Sequence, residues 1–243
     1  MIKLNPLVAT LLGSSLFLNA AVAAPVYQFA ETDPNQNNRA GMISDYSVQY
    51  DVGNETFSWS HTIEDVGSQA SNGFWLVVSD GPNPKGYVDE FAIFYGDAVS
   101  ETLSAYVYTG QNNSNSWVDS SAYINTFALD YQDNGNSGTY TFSIDASGIN
   151  SHFNTVDWKG SQFEDSVGLW FHPMLGASFN YAANGTISSL NFGQQGWVDY
   201  SNKATHEVPE ANSFMLFLLG LMGFGFTRAL MNVRDNRLIA THA

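Results

Sequence analysis

Between residues 24 and 207 the chain never sustains a 3.6-residue apolar period; its apolar side chains recur at every second position in short runs. Tyr46, Val48, Tyr50 and Val52 alternate with Asp45, Ser47, Gln49 and Asp51, and Tyr140, Phe142 and Ile144 alternate with smaller polar residues. Successive strand side chains point to opposite faces, so each run buries one face and wets the other, as antiparallel sheets do. Comparable runs cover 26–31, 43–52, 56–63, 74–79, 90–95, 103–108, 123–131, 139–145, 156–158, 167–172, 179–181 and 186–192. Clusters of Gly, Asn, Asp and Ser separate them. Asp133-Asn134-Gly135-Asn136-Ser137-Gly138 links two strong runs and carries an Asn-Gly hairpin signal. Residues 79–86, with Pro82 and Pro84, read as a longer loop, and Asn184-Gly185 as another turn. The class is all-β: an antiparallel β-sandwich, jelly-roll-like, in a single domain. No fixed-period repeat occurs, which argues against a propeller or a β-helix. Residues 32–39 read as a polar loop, and 191–207 as a final strand running into a linker.

The two ends have a different character. The chain begins Met-Ile-Lys, continues with an apolar run over 7–18 and reaches Ala20-Ala21-Val22-Ala23-Ala24. A basic start, an apolar centre and an A-x-A site make a secretory signal peptide over 1–23, with Ala21 and Ala23 as the cleavage determinants for signal peptidase. Near the other end, Val208-Pro209-Glu210-Ala211 precedes an apolar segment of 13 residues, 214–226, with Arg228, Arg234 and Arg237 behind it. As a helix that segment is about 20 Å long, against a hydrocarbon core of about 30 Å. It spans as a transmembrane helix when Leu230, Met231 and Val233 join it and Arg228 snorkels. The arginines hold the tail on the cytoplasmic side. The body, 24–207, is thus expected outside the cytoplasm.

This terminal arrangement resembles the PEP-CTERM sorting signal, in which a Pro-Glu-Pro motif precedes an apolar helix and a basic tail. Here the motif falls on Pro209, Glu210 and Ala211, with Ala211 in place of the third residue's usual Pro. The resemblance covers 208–243, and segments 74–86, 90–96 and 168–173 resemble stretches of other PEP-CTERM proteins. It implies recognition and cleavage near the motif by an exosortase-like integral-membrane transpeptidase. It also implies transient anchoring in the inner membrane and release to a cell surface or biofilm matrix rich in exopolysaccharide.

Acidic residues outnumber basic ones 23 to 8, for a net charge of −15. The body keeps only Arg39, Lys85, Lys159 and Lys203 as basic residues. Nucleic acid is therefore not an expected partner, because phosphate neutralisation needs Lys and Arg. With no Cys, the chain has neither a disulfide framework nor thiol chemistry.

Catalytic patterns are sparse. Glu64-Asp65, Asp89-Glu90 and Glu164-Asp165 are adjacent pairs, and adjacent strand residues face opposite sides. A glycosidase needs two carboxyl groups about 5–9.5 Å apart across one sugar. A secreted carbohydrate-active enzyme, glycoside hydrolase-like and of jelly-roll type, is the alternative reading, and it needs carboxylates brought together from distant strands. His61, His152, His172 and His206 show no metal-ligand spacing. His172, in Trp170-Phe171-His172-Pro173, reads as a packed residue. Nucleophile elbows, phosphate loops and dinucleotide fingerprints are absent from the sequence.

Two weaker signals remain. Asp130, Asp133 and Asn134 partly match a calcium loop and are candidates for weak calcium binding; Gln132 breaks the string and Thr141 stands where the bidentate Glu belongs. A hairpin turn accounts for the same residues. Trp117 and Trp197 lie in Asn- and Asp-rich surroundings of the kind that stack on sugar rings, and are candidate glycan contacts; packing is the alternative for both. The expectation is a non-enzymatic, exported surface or matrix protein that contacts exopolysaccharide.

Overall fold

A computed structural model describes residues 24–31, 36–110, 115–203 and 205–207. The expectations at Ala21, Ala23, Val208, Pro209, Glu210 and Ala211, and the apolar segment 214–226, lie outside the described residues. The alternating runs are strands. One sheet of six strands runs in the order β16 (Thr205–Glu207), β1 (Val26–Glu31), β3 (Met42–Asp51), β4 (Thr56–Glu64), β10 (Ser137–Asp145), β9 (Asp130–Asp133). A larger sheet runs β2 (Gln36–Asn37), β15 (Trp197–Lys203), β11 (Ser166–Leu175), β5 (Ser71–Ser79), β6 (Ala92–Asp97), β7 (Thr102–Val107), β8 (Tyr123–Ala128), with β14 (Gln194–Gln195) paired to the end of β11. A separate hairpin joins β12 (Ser178–Tyr181) to β13 (Ile187–Asn191). Every pairing of named strands is antiparallel.

The two large sheets pack face to face. In β4 the alternation Phe57, Trp59, His61, Ile63 is buried while Thr56, Ser58, Ser60 and Thr62 face outward. The buried set meets the larger sheet through aromatic pairs: Phe57–Phe94 at 5.2 Å, Trp59–Phe171 at 5.5 Å and His61–Phe74 at 5.1 Å between ring centres. Each such ring, fully removed from water, contributes about 1.5–3 kcal/mol.

β5 departs from alternation: Phe74, Trp75, Leu76, Val77 and Val78 are all buried. The outer face of the larger sheet is covered as well, so both faces of its central strands are apolar. The cover is the β12–β13 hairpin and two 3-10 turns. The Ile187 N–H donates to the Tyr106 hydroxyl at 2.6 Å, and the Tyr181 hydroxyl donates to Asp97 Oδ2 at 3.2 Å. From the turn Pro84–Gly86, the Lys85 ammonium sits 5.2 Å over the Trp170 ring.

Four expectations need correcting. The run 123–131 is not one strand: after β8 the chain bends at buried Leu129 and re-enters as β9 on the opposite sheet. Such sheet-switching makes a corner of the sandwich. In 191–207 the expected final strand is β15, which joins the larger sheet, but where a linker was expected the chain forms β16, which pairs with β1 on the other sheet. Residues 156–158 form no strand. Trp158 is buried there because its indole N–H donates to the Ile149 carbonyl at 2.9 Å, in the short helix α1 (Ser147–Asn150), while Val156 is 94% exposed. Within the polar segment 32–39, Gln36 and Asn37 form β2 against β15.

Candidate functional site

The outward residues of the six-stranded sheet form a groove of about 660 Å³ across β1, β3, β4 and β10. Register fixes its floor as two rows. Gln28 faces Gln49, Gln49 faces Ser58, and Ser58 faces Ser143. One step along the strands, Ala30 faces Ser47, Ser47 faces Ser60, and Ser60 faces Thr141. Phe29, Val48, Trp59 and Phe142, between these positions, point into the core. The floor is therefore hydroxyls, amides and one methyl, carried on strands that the aromatic core holds rigid.

The hydroxyls pair across β4 and β10 as a ladder. Ser58 and Ser143 lie 2.8 Å apart, Ser60 and Thr141 3.4 Å, and Thr62 and Thr139 3.1 Å, oxygen to oxygen. A hydroxyl has one donor and two acceptor lone pairs, so a cross-strand pair leaves capacity for a third partner.

Carboxylates stand around this floor but not in it. Asp51 and Asp145 both pair with Thr56, one row beyond the floor. Asp130 extends the Ser60–Thr141 row, and Asp45 Oδ1 accepts the Thr62 N–H at 3.1 Å at the other end. The Asn54 amide, with the backbone N–H groups of Asn54 and Gly53, holds the Asp51 carboxyl below the usual carboxylate range. Ser147 does the same for Asp145. Neither Lys nor Arg occurs on a strand of this sheet.

The sequence candidates lie elsewhere. Trp117 is half-buried in the 3-10 turn Ser116–Val118, packed against the core. Trp197 opens β15 and is 38% exposed. Strands β11, β5 and β6 separate β15 from β7, which the Trp117 turn contacts, so the two tryptophans are not brought together. Asp130 and Asp133 lie at opposite ends of β9. Asp133 Oδ1 accepts the Gly135 N–H at 2.7 Å, and the Asn134 amide donates to Thr139 Oγ1 at 3.2 Å, closing the hairpin turn. Among the described residues no three His, Cys, Asp or Glu side chains converge in a metal-binding arrangement.

Both core-region histidines are packed rather than displayed. His172 stacks on Trp75 at 3.9 Å and 14°, with Gln195 against its Nδ1. Burial, reinforced by the nearby Lys85 charge, pushes its pKa down to about 3. His61 is enclosed by Trp59, Phe74, Tyr140 and Phe171.

The groove escaped the sequence reading. The alternation Asp45, Ser47, Gln49, Asp51 identified one outward row, but only register places it beside Ser58, Ser60, Thr141 and Ser143.

No family model and no curated protein matches the chain. A structure solved in work on pH-induced modulation of Streptococcus parasanguinis adhesion by Fap1 fimbriae is similar over 76% of this chain and 98% of that one, at 13% identity and a TM-score of 0.28. A likeness at that score carries no argument about fold or role.

Proposed function

We propose that this is an exported, non-enzymatic surface or matrix protein that contacts extracellular polysaccharide through the groove on its six-stranded sheet. The observation that carries the reading is the floor: Gln28, Gln49, Ser47, Ser58, Ser60, Thr141 and Ser143 offer paired donors and acceptors, the chemistry that meets sugar hydroxyls. No carboxylate lines the groove. That supports binding over hydrolysis, which needs two carboxyl groups on either side of one glycosidic bond.

Export rests on the sequence at both ends: the signal peptide over 1–23, and the PEP-CTERM-like segment over 208–243, read by an exosortase-like transpeptidase. Polysaccharide affinity electrophoresis, run beside a hydrolysis screen on the same polymers, tests the reading. Retardation without turnover, lost on Ser60→Trp, supports it. Turnover abolished by changing one carboxylate would replace it with a glycoside hydrolase.

A further inference from the structure

We propose that the groove's ligand is a cationic amino-sugar polymer, a hexosamine chain carrying free ammonium groups; the inference rests on the glycan reading above. The floor is neutral, and spans about 14 Å across four strands at a strand spacing of about 4.8 Å. Asp51 and Asp145 border it at one end, Asp45 at the other, and Asp130 along the β9 side. Each lies one register step or one strand from a floor residue. Sugar hydroxyls meet Ser, Thr and Gln on the floor, while ammonium groups reach the bordering carboxylates as charge-assisted hydrogen bonds.

Charge selects among polysaccharides. An anionic polymer is repelled by these four carboxylates, and the sheet carries no Lys or Arg to offset them. A neutral polymer gains nothing from the border. Two of the body's four basic residues are engaged elsewhere: Lys159 pairs with Asp80, and Lys85 lies over Trp170.

The test titrates the full-length protein, held in a polyoxyethylene detergent free of sugar headgroups, with hexamers of glucosamine, of N-acetylglucosamine and of glucose (cellohexaose). The glucosamine hexamer is expected to bind about tenfold more tightly than the other two, equivalent to about 1.4 kcal/mol. A fourfold variant, Asp45→Asn, Asp51→Asn, Asp130→Asn and Asp145→Asn, keeps an acceptor oxygen at each site and removes the preference. A control variant with Asp89→Asn, Glu101→Gln, Asp157→Asn and Glu164→Gln, all exposed and none lining the groove, keeps it. Equal binding of the three hexamers, or equal loss in both variants, overturns the amino-sugar inference. In that case binding that is still abolished by Ser60→Trp leaves the glycan reading standing. Failure of all three hexamers to bind overturns both.

Discussion

The Trp59 indole N–H donates to His61 Nδ1 at 2.7 Å, joining two side chains on the same buried face of one strand. That bond fixes His61 as the neutral tautomer with its proton on Nε2, and the ring lies flat on Tyr140 at 4.7 Å. Nothing in this aromatic enclosure neutralises an imidazolium, and burial pushes the His61 pKa down to about 3. Unfolded, the same residue titrates near 6.5, so between about pH 6.5 and about pH 3 only the unfolded chain takes up the proton. The contribution is at full strength above that window and falls as pH drops through it, by about 3 kcal/mol at a pH two units below the unfolded value. His61→Phe is expected to cost about 1–3 kcal/mol at neutral pH, because the Trp59 N–H loses its acceptor. It is also expected to flatten the acid side of the stability curve. Urea unfolding of both proteins across the acid range checks this; parallel curves would refute it.

Gly168 sits where two backbones meet. A Cβ built there runs into the Gly81 carbonyl oxygen and lies 2.6 Å from Ser79 Oγ. Ser79 is fully buried and its hydroxyl donates to the Gly81 carbonyl at 2.8 Å, so the obstacle is a fixed backbone and not a flexible tip. Gly168→Ala is expected to destabilise the fold by about 3 kcal/mol through forced displacement of the 79–86 loop. Gly148→Ala, where a Cβ meets nothing within 4 Å, is the control and should change stability little. Similar thermal midpoints for the two variants would show that the loop yields easily.

How much of this was readable in advance depends on how local the cause is. The Tyr140, Phe142, Ile144 alternation is a property of one strand, and it predicted both the strand and its buried face. The turn at Asp133, Asn134 and Gly135 was equally local. Trp158 was misread because a Val-Asp-Trp string has strand composition, whereas its position follows from an indole bond to Ile149, nine residues earlier. Leu129 was misread because a sheet change within a continuous apolar run leaves no mark in periodicity. The groove lay furthest from view. Ser47, Ser58, Ser60 and Thr141 come from three strands and are unremarkable singly; antiparallel register alone makes them a row.

The hydroxyl ladder should serve binding far more than stability. Ser58, Ser60, Thr141 and Ser143 face outward, and a net hydrogen bond between such groups is worth about 1 kcal/mol or less once water can replace it. Ser58→Ala with Ser143→Ala is therefore expected to leave the unfolding midpoint within a few degrees of the parent and to weaken polysaccharide retardation several-fold. Calorimetry and affinity electrophoresis on the same sample separate the two effects. A large stability loss with unchanged retardation would make the ladder a structural device.

The last expectation concerns the route to the surface. If Pro209 and Glu210 are read by a transpeptidase, the motif matters by its chemistry, while the segment 214–226 matters only by its apolarity. Pro209→Ala with Glu210→Ala should then leave the chain exported but uncut, accumulating at the inner membrane with 214–226 still attached. Replacing Leu216 and Leu218 by Met and Ile, which preserves apolar transfer energy, should leave processing unchanged. Fractionation followed by intact-mass measurement reads both outcomes. If the motif variant is cut and released like the parent, the terminal segment is a plain anchor, and release would have to come from cleavage at some other point.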